Sequence, residues 1–391
     1  VPVVKKALYL TIPTLLLCAL VALGYRVGQY TAAQQFEATI RGMEQGETLA
    51  AVLAVSPLND TQRNGYGRAY SHATVDASAI SWSVPNQPTP FVGTAPMPGQ
   101  HHNAHINAWQ MRSNQELRMP KPQGVYRIFL TGGSTAYGSG APSQADTIGS
   151  LLQAQLNTKL SEKNGIQNNI NYEVFTFANP AWASTQERIA IENYLSELQP
   201  DMVISLSGNN DVFWGDAGRN VLWFFSFADE YFKILANTGL QLAQRKALAE
   251  LPQTMPTAER VPHATVAYRL VKNVHLGVQA LQQIEQTGKA GVPWIFFLQP
   301  TLSVSRKKLT AREQDFLTDS KEYYIKCYQD IAKKLSALEK ENFRFMNLSG
   351  VFDAYGAEED MFLDQFHFGD KGNTVIANAM FTVLAPLVQE Q

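Results

Sequence analysis

YRIFLTGGSTAYGSG, residues 126 to 140, is a short apolar run that empties into a glycine turn. Tyr126 to Leu130 is too short for a helix and is bounded by turn residues, so it reads as a buried strand. The turn Thr131-Gly132-Gly133-Ser134-Thr135 ends it. DTIGSLLQAQLNTKL (146 to 160) then places Ile148, Leu151, Leu152, Gln155, Leu156 and Leu160 on one helical face, which should cover a sheet. Strand, turn and amphipathic helix are the opening unit of a parallel α/β sheet.

The unit repeats downstream. YEVFTF (172 to 177) is the second strand run and ends at Asn179-Pro180. Ser184-Thr185-Gln186-Glu187 matches a capping box, opening a helix with Ile191, Tyr194, Leu195 and Leu198 inward. MVISL (202 to 206) leads into Ser207-Gly208-Asn209-Asn210-Asp211, and WIFFL (294 to 298) is the fourth run. A long helix is expected near 311 to 340, then FRFMNL (343 to 348), then a last helix from about 372 to 388. The fold class is therefore α/β: a three-layer sandwich around a five-stranded parallel, flavodoxin-like sheet.

In such a sheet the loops leaving the C-terminal strand ends share one edge, where ligands bind. Ser134 follows the first strand, Asn179 to Ala181 the second and Asn210 the third, with Asp364 and His367 after the fifth. Hydroxyl, backbone amides, carboxamide, imidazole and carboxylate meet on that rim. Together they are the inventory for acyl transfer through a serine nucleophile.

At these residues the chain resembles the SGNH, or GDSL-like, hydrolases. TGGSTAYG (131 to 138) is similar to their nucleophile motif. Gly208-Asn209-Asn210-Asp211 matches their Gly-x-Asn-Asp, and Asp364 to His367 matches their Asp-x-x-His. The resemblance covers roughly 120 to 390, and HINAWQMR (105 to 112) resembles an upstream segment of some members. It implies that Ser134 attacks an ester carbonyl, that His367 relays the proton and that Asp364 orients the imidazole. It implies an oxyanion hole of the Ser134 N–H, the N–H at position 181 and the Asn210 amide, with no cofactor and no metal. One residue departs from the pattern: the family usually has Gly where this chain has Ala181. Alanine keeps the N–H, but a backbone angle that only glycine reaches would be lost or strained.

Other readings of the same residues fit less well. A P-loop needs Lys and Ser or Thr after its glycines, whereas Ser139-Gly140 follow Gly138. The nucleophile elbow of conventional α/β-hydrolases is Gly-x-Ser-x-Gly, and Ala136 breaks it. His101, His102 and His105 lack a nearby acidic partner for a metal. Asp211 reads as a structural carboxylate. The segment 212 to 290 reads as a helical insertion, whose FWGDAGRNVLWFFSFADEYF (213 to 232) concentrates Trp214, Trp223, Phe224, Phe225, Phe227, Tyr231 and Phe232. Core packing is its ordinary role, and an acyl-chain or glycan platform, or a surface for a membrane or partner, is the functional alternative.

Upstream, Lys5-Lys6 precede the uncharged ALYLTIPTLLLCALVALGY, residues 7 to 25. Nineteen residues make about 28 Å of helix, enough for a bilayer core. A cleaved signal would have a shorter apolar stretch and a small-residue cleavage site. The expectation is an anchor over 1 to 30 with its N-terminus inside and the catalytic body periplasmic or extracellular. A stalk helix and an irregular Pro-rich wrapping segment should fill 31 to 122, and the hydrolase domain 123 to 391.

Composition agrees. Acidic residues number 34 against 32 Lys and Arg, so no basic excess points to nucleic acid. Apolar residues reach 45%, ample for a core, and two cysteines exclude a disulfide scaffold. The sequence thus leads to a membrane-anchored serine esterase acting on an ester of a cell-envelope glycan or lipid, an O-acetyl group above all. Its alternatives are an O-acyltransferase with the same residues, or a silent SGNH-fold subunit of a membrane complex.

Overall fold

The computed structural model describes residues 14–34, 70–71, 84, 86–163, 170–218, 259–286 and 289–389. An isolated apolar helix, Thr14–Gln34 (α1), opens them, fully exposed along its length. Two antiparallel pairs follow: Asn86–Thr89 (β1) with Gly93–Pro96 (β2), and Gly99–His101 (β3) with Ala104–Ile106 (β4). The segment expected to be irregular is therefore partly strand. Its prolines limit it to two-stranded ribbons, as their missing N–H groups dictate.

The main unit runs Val125–Gly132 (β5), Ser134–Tyr137 (α2), Ile148–Lys163 (α3), Asn171–Ala178 (β6), Ser184–Asn193 (α4), Met202–Ser207 (β7) and Asn209–Asp216 (α5). His263–Gln282 (α6), a small ribbon of Glu285–Gln286 (β8) and Lys289–Ala290 (β9), and Trp294–Leu298 (β10) continue it. Ala311–Gln314 (α7), Lys321–Ser336 (α8), Phe343–Asn347 (β11) and Asp370–Gln389 (α9) close it. The sheet order is β11-β10-β7-β5-β6, every pairing parallel. The first of these five strands thus lies between the second and the third, the doubly wound order whose switch point falls between β5 and β7.

Strand residues alternate faces with period two, which assigns each to a layer. Phe129, Phe175, Val203 and Phe296 pack with α4, α6 and α8 through Ile191, Leu270, Val274, Cys327 and Ile331. Ile128, Leu130, Val174, Ile204 and Phe297 face the other way, onto Leu152 and Leu156 of α3 and Ile376, Met380 and Leu384 of α9. Truncating a buried phenylalanine here, such as Phe129 or Phe296, should cost about 3–5 kcal/mol. The upstream ribbons belong to this body. The Arg112 N–H donates to the Thr176 carbonyl at 2.9 Å, capping the edge strand β6, and Val92, Ala95 and Met111 enter the core.

Three expectations change. The long helix near 311 to 340 is two helices, because Thr310 and Glu313 cap the short α7 and its side chains turn to another loop. The capping box expected at Ser184 does not form: the helix N-cap is Ala183, which has no capping side chain. Gln186 accepts from the Ala183 N–H at 3.0 Å, and Ser184 turns its hydroxyl to Asp211. Within the expected insertion, α6 is the crossover helix from β7 to β10, packed on the sheet. Trp223 to Phe232, and the stalk beyond residue 34, lie outside the described residues.

Candidate active site

Residues Ser134 and Asn210 lie just past β5 and β7, on either side of the switch point. β5 runs straight into the turn because Gly133 has no side chain. A Cβ there would collide with the Asn210 amide nitrogen and stand 3.1 Å from the Trp182 carbonyl oxygen. Glycine thus permits the serine turn, the Asn210 carboxamide and the loop after β6 to touch. Ser134 is the first residue of α2, so its backbone N–H has no intrahelical acceptor.

The imidazole reaches this turn from the loop between β11 and α9. His367 Nε2 is 2.7 Å from Ser134 Oγ, and His367 Nδ1 is 2.6 Å from Asp364 Oδ2. The other carboxylate oxygen, Asp364 Oδ1, accepts from the backbone N–H groups of Phe366 and His367, both at 2.9 Å. Desolvation pushes the Asp364 carboxyl up. The facing imidazole and these hydrogen bonds outweigh it and hold the group below its ordinary value. An ionised carboxylate in that position fixes the imidazole with Nδ1 as the donor, leaving Nε2 to accept from the serine hydroxyl.

Neighbouring elements hold the loop. Thr135 Oγ1 donates to the Phe366 carbonyl at 3.2 Å, and Thr301 Oγ1 to that of Gln365 at 3.0 Å. On the other side Glu313 accepts from the Met361 and Phe362 N–H groups, and Arg312 donates to the carbonyls of Phe362 and Leu363. The wall beside His367 is aromatic. Phe366 lies 4.8 Å from the imidazole centroid to centroid, and the part-exposed Phe213 lies 6.0 Å from Phe366.

Ala181 sits at φ 70°, in the left-handed region. The Trp182 N–H donates to the Asn179 carbonyl at 3.1 Å, closing a β-turn with Pro180 and Ala181 at its centre. A positive φ at the third residue after proline at the second is the type II pattern, which ordinarily calls for glycine. Of the two outcomes expected for this angle, loss or strain, the chain shows the second, with alanine costing roughly 1 kcal/mol. Asn179 and the Trp182 indole both donate to the Thr94 carbonyl of β2. Asn210 Nδ2 donates to the Trp182 carbonyl at 2.7 Å.

All five residues expected on the rim, Ser134, Ala181, Asn210, Asp364 and His367, meet there. Asp211 instead accepts from the Ser184 N–H and hydroxyl at 3.0 and 2.6 Å, capping α4. His101 and His105 bond the Met97 and Ser113 carbonyls, and no group of metal-ligating side chains forms among the described residues. Two contributors were missed. Arg112, buried with no carboxylate partner among the described residues, donates to the Tyr137 and Gly138 carbonyls at the end of α2, and only its place in HINAWQMR hinted at it. Glu187, fully buried, accepts from Thr131 of β5 and Ser207 of β7 and so ties together the strands that carry Ser134 and Asn210. Burial drives its carboxyl up to about 7, aided by the nearby Asp211 and opposed by the hydroxyls of Ser207, Thr131 and Ser205. Its place in the apparent capping box concealed this.

A flavodoxin-like parallel sheet with serine, asparagine and histidine on its carboxyl rim defines an SGNH-type hydrolase. The sequence model described as GDSL-like Lipase/Acylhydrolase matches residues 128–380, well over half the chain. The chain belongs to that family and is a carboxylic ester hydrolase. A search of curated proteins finds no match. Among solved structures it is similar to an acetyl xylan esterase, 17% identical over 66% of this chain and 99% of that one, with a TM-score of 0.38. It is also similar to a putative GDSL-like lipase from Parabacteroides merdae, at 16% identity over 67% and 96% with a TM-score of 0.40. The aryl esterase of M. smegmatis is 14% identical over 67% and 99%, with a TM-score of 0.38.

Proposed function

We propose that the protein is a membrane-anchored serine esterase in which Ser134, His367 and Asp364 form the triad. The observation that carries this reading is the continuous hydrogen-bonded line from Asp364 through His367 to Ser134. His367 takes the Ser134 proton as Oγ attacks the ester carbonyl, then returns it to the departing alkoxide. Asp364 stabilises the imidazolium meanwhile. The Ser134 N–H, the Ala181 N–H and the second amide proton of Asn210 stabilise the oxyanion. Water, activated by the same imidazole, releases the acid from the acyl-enzyme.

The anchor rests on α1. Its 21 residues make about 31 Å of helix, a bilayer's span. A signal sequence near the N-terminus can also present such a helix, and residues 7 to 13 of the expected span lie outside the described ones. An uncleaved anchor holds the hydrolase domain, 123 to 391, at a membrane surface facing away from the cytoplasm. Substrates there are esters of envelope glycans and lipids. An O-acetyl group is the smallest of these, and the Phe213–Phe366 wall offers a sugar face or acyl chain an apolar surface.

The test uses the full chain in detergent with p-nitrophenyl acetate and a fluorophosphonate. Hydrolysis and covalent labelling should both disappear in Ser134→Ala. A wild-type protein that is folded yet neither hydrolyses nor labels would defeat the reading. Acyl transfer to an added sugar that outpaces release to water would make the protein a transferase. Intact mass from membranes tests the anchor, and a chain starting near residue 30 would identify a cleaved signal.

A further inference from the structure

The strained turn at Ala181 is held by a second side chain of α5. Residues Asn210 and Trp214 are four apart, so they lie on one face of that helix, one turn above the other. Asn210 Nδ2 donates to the Trp182 carbonyl at 2.7 Å, and Trp214 Nε1 donates to the Ala181 carbonyl at 3.2 Å. Two successive carbonyls of the turn are thus pinned from one helix. The Trp214 ring is seated edge-on against Phe213, centroids 5.0 Å apart.

We infer that Trp214 is a positioning residue that keeps Ala181 left-handed, and so keeps the Ala181 N–H aimed at the oxyanion. The inference rests on the proposed role of that N–H. Glycine at 181 would adopt φ 70° without strain, whereas alanine there is drawn back to negative φ. Reversing φ at 181 rotates the Pro180–Ala181 peptide plane and turns its N–H away from Ser134. The left-handed φ is an angle between that peptide plane and the Ala181–Trp182 plane, and the indole N–H holds the carbonyl of the second plane. Trp214 touches no reacting atom in this scheme and reaches the site through the turn.

A double-mutant cycle between positions 181 and 214 tests it, again on the full chain with p-nitrophenyl acetate. Trp214→Phe removes the N–H and keeps an aromatic ring. It should lower kcat roughly tenfold, short of the hundredfold or more for complete loss of an oxyanion donor, with KM within about twofold, since ground-state binding is untouched. Ala181→Gly alone supplies the reference kcat for the second half of the cycle. Relative to that reference, adding Trp214→Phe should cost no more than about twofold, because glycine no longer needs the brace. Thermal melts show whether each variant is folded. Should Trp214→Phe unfold, 3-benzothienylalanine at 214, which replaces the indole N–H with sulfur at nearly the same shape, gives the same readout. Ser134→Ala in parallel separates the two levels: if it stays active, the triad reading itself fails. If it is inactive but the loss of the 214 N–H leaves kcat unchanged, or costs equally with alanine and with glycine at 181, only the role of Trp214 is overturned.

Discussion

The turn that presents Ser134 and the turn that presents Ala181 face each other across the same site, yet each reaches its conformation differently. In the first, glycine supplies the close approach itself, because Gly133 leaves room for the Asn210 amide. In the second, alanine occupies a left-handed position, and hydrogen bonds from Asn210 and Trp214 hold the two carbonyls that follow. One geometry is encoded where it occurs. The other is imposed from a helix some thirty residues later. A conformation needed for chemistry can therefore be secured by the local backbone or by tertiary bracing, and the two should respond differently to mutation.

The largest effects should be those of the reacting groups, which both turns serve. Ser134→Ala and His367→Ala should each reduce ester hydrolysis roughly ten-thousandfold without shifting the melt. Asp364→Ala should cost less, because the imidazole still acts when poorly oriented. Retained activity in folded Ser134→Ala would remove the ground for comparing the turns at all.

The glycine turn should be next most sensitive. In Gly133→Ala the new methyl would occupy the place of the Asn210 amide. Displacing that donor should lower kcat about a hundred- to a thousandfold, more than any single change on the braced side. Near-normal kcat in a folded Gly133→Ala variant would show that the serine side is also adaptable.

Glu187 ties the β5 and β7 ends that lead to the two sides, and its carboxyl is raised to about 7. The folded chain therefore keeps a proton that the unfolded chain has lost above about pH 4.5. Stability should fall as pH rises from about 4.5 to 7, by on the order of 3 kcal/mol, and level off above. Asp211, pushed up to about 6 by burial, adds a decline of the same sign below that pH. Glu187→Gln should flatten the stability curve between pH 6 and 7, read by denaturant melts. An unchanged slope in that window would mean that Glu187 is already ionised.

The smallest effect belongs to the strain itself. Ala181→Gly should relieve the left-handed backbone, but glycine also loses more entropy on folding, so the net gain should be below about 1 kcal/mol. A destabilisation of that size or more would mean that the Ala181 methyl makes packing contacts worth more than the strain.

The five strands were legible because each is a short run rich in apolar residues that ends in small or polar ones. Four are buried on both faces, and only the edge strand β11 alternates, with Phe343 and Phe345 buried and Arg344 and Met346 exposed. The split of the expected helix near 311 to 340 was not. Thr310 and Glu313 read equally well as ordinary helical residues until residues 360 to 362 arrive to use them. Likewise Ser184 has the chemistry of a capping residue, and only the nearness of Asp211 takes its hydroxyl.

The types and order of the rim residues were in the sequence alone. A serine, histidine and asparagine placed in the loops after buried strands have little use except chemistry, and the strand rule brings those loops to one edge. What the tertiary structure alone decided is how those groups are aimed. The φ of Ala181 is set by the turn it closes and by Asn210 and Trp214, and the Glu187 carboxyl by hydroxyls from two different strands. Composition and periodicity record which face a residue prefers. The direction of a single N–H depends on partners far along the chain, which come within hydrogen-bonding distance only once the sheet has formed.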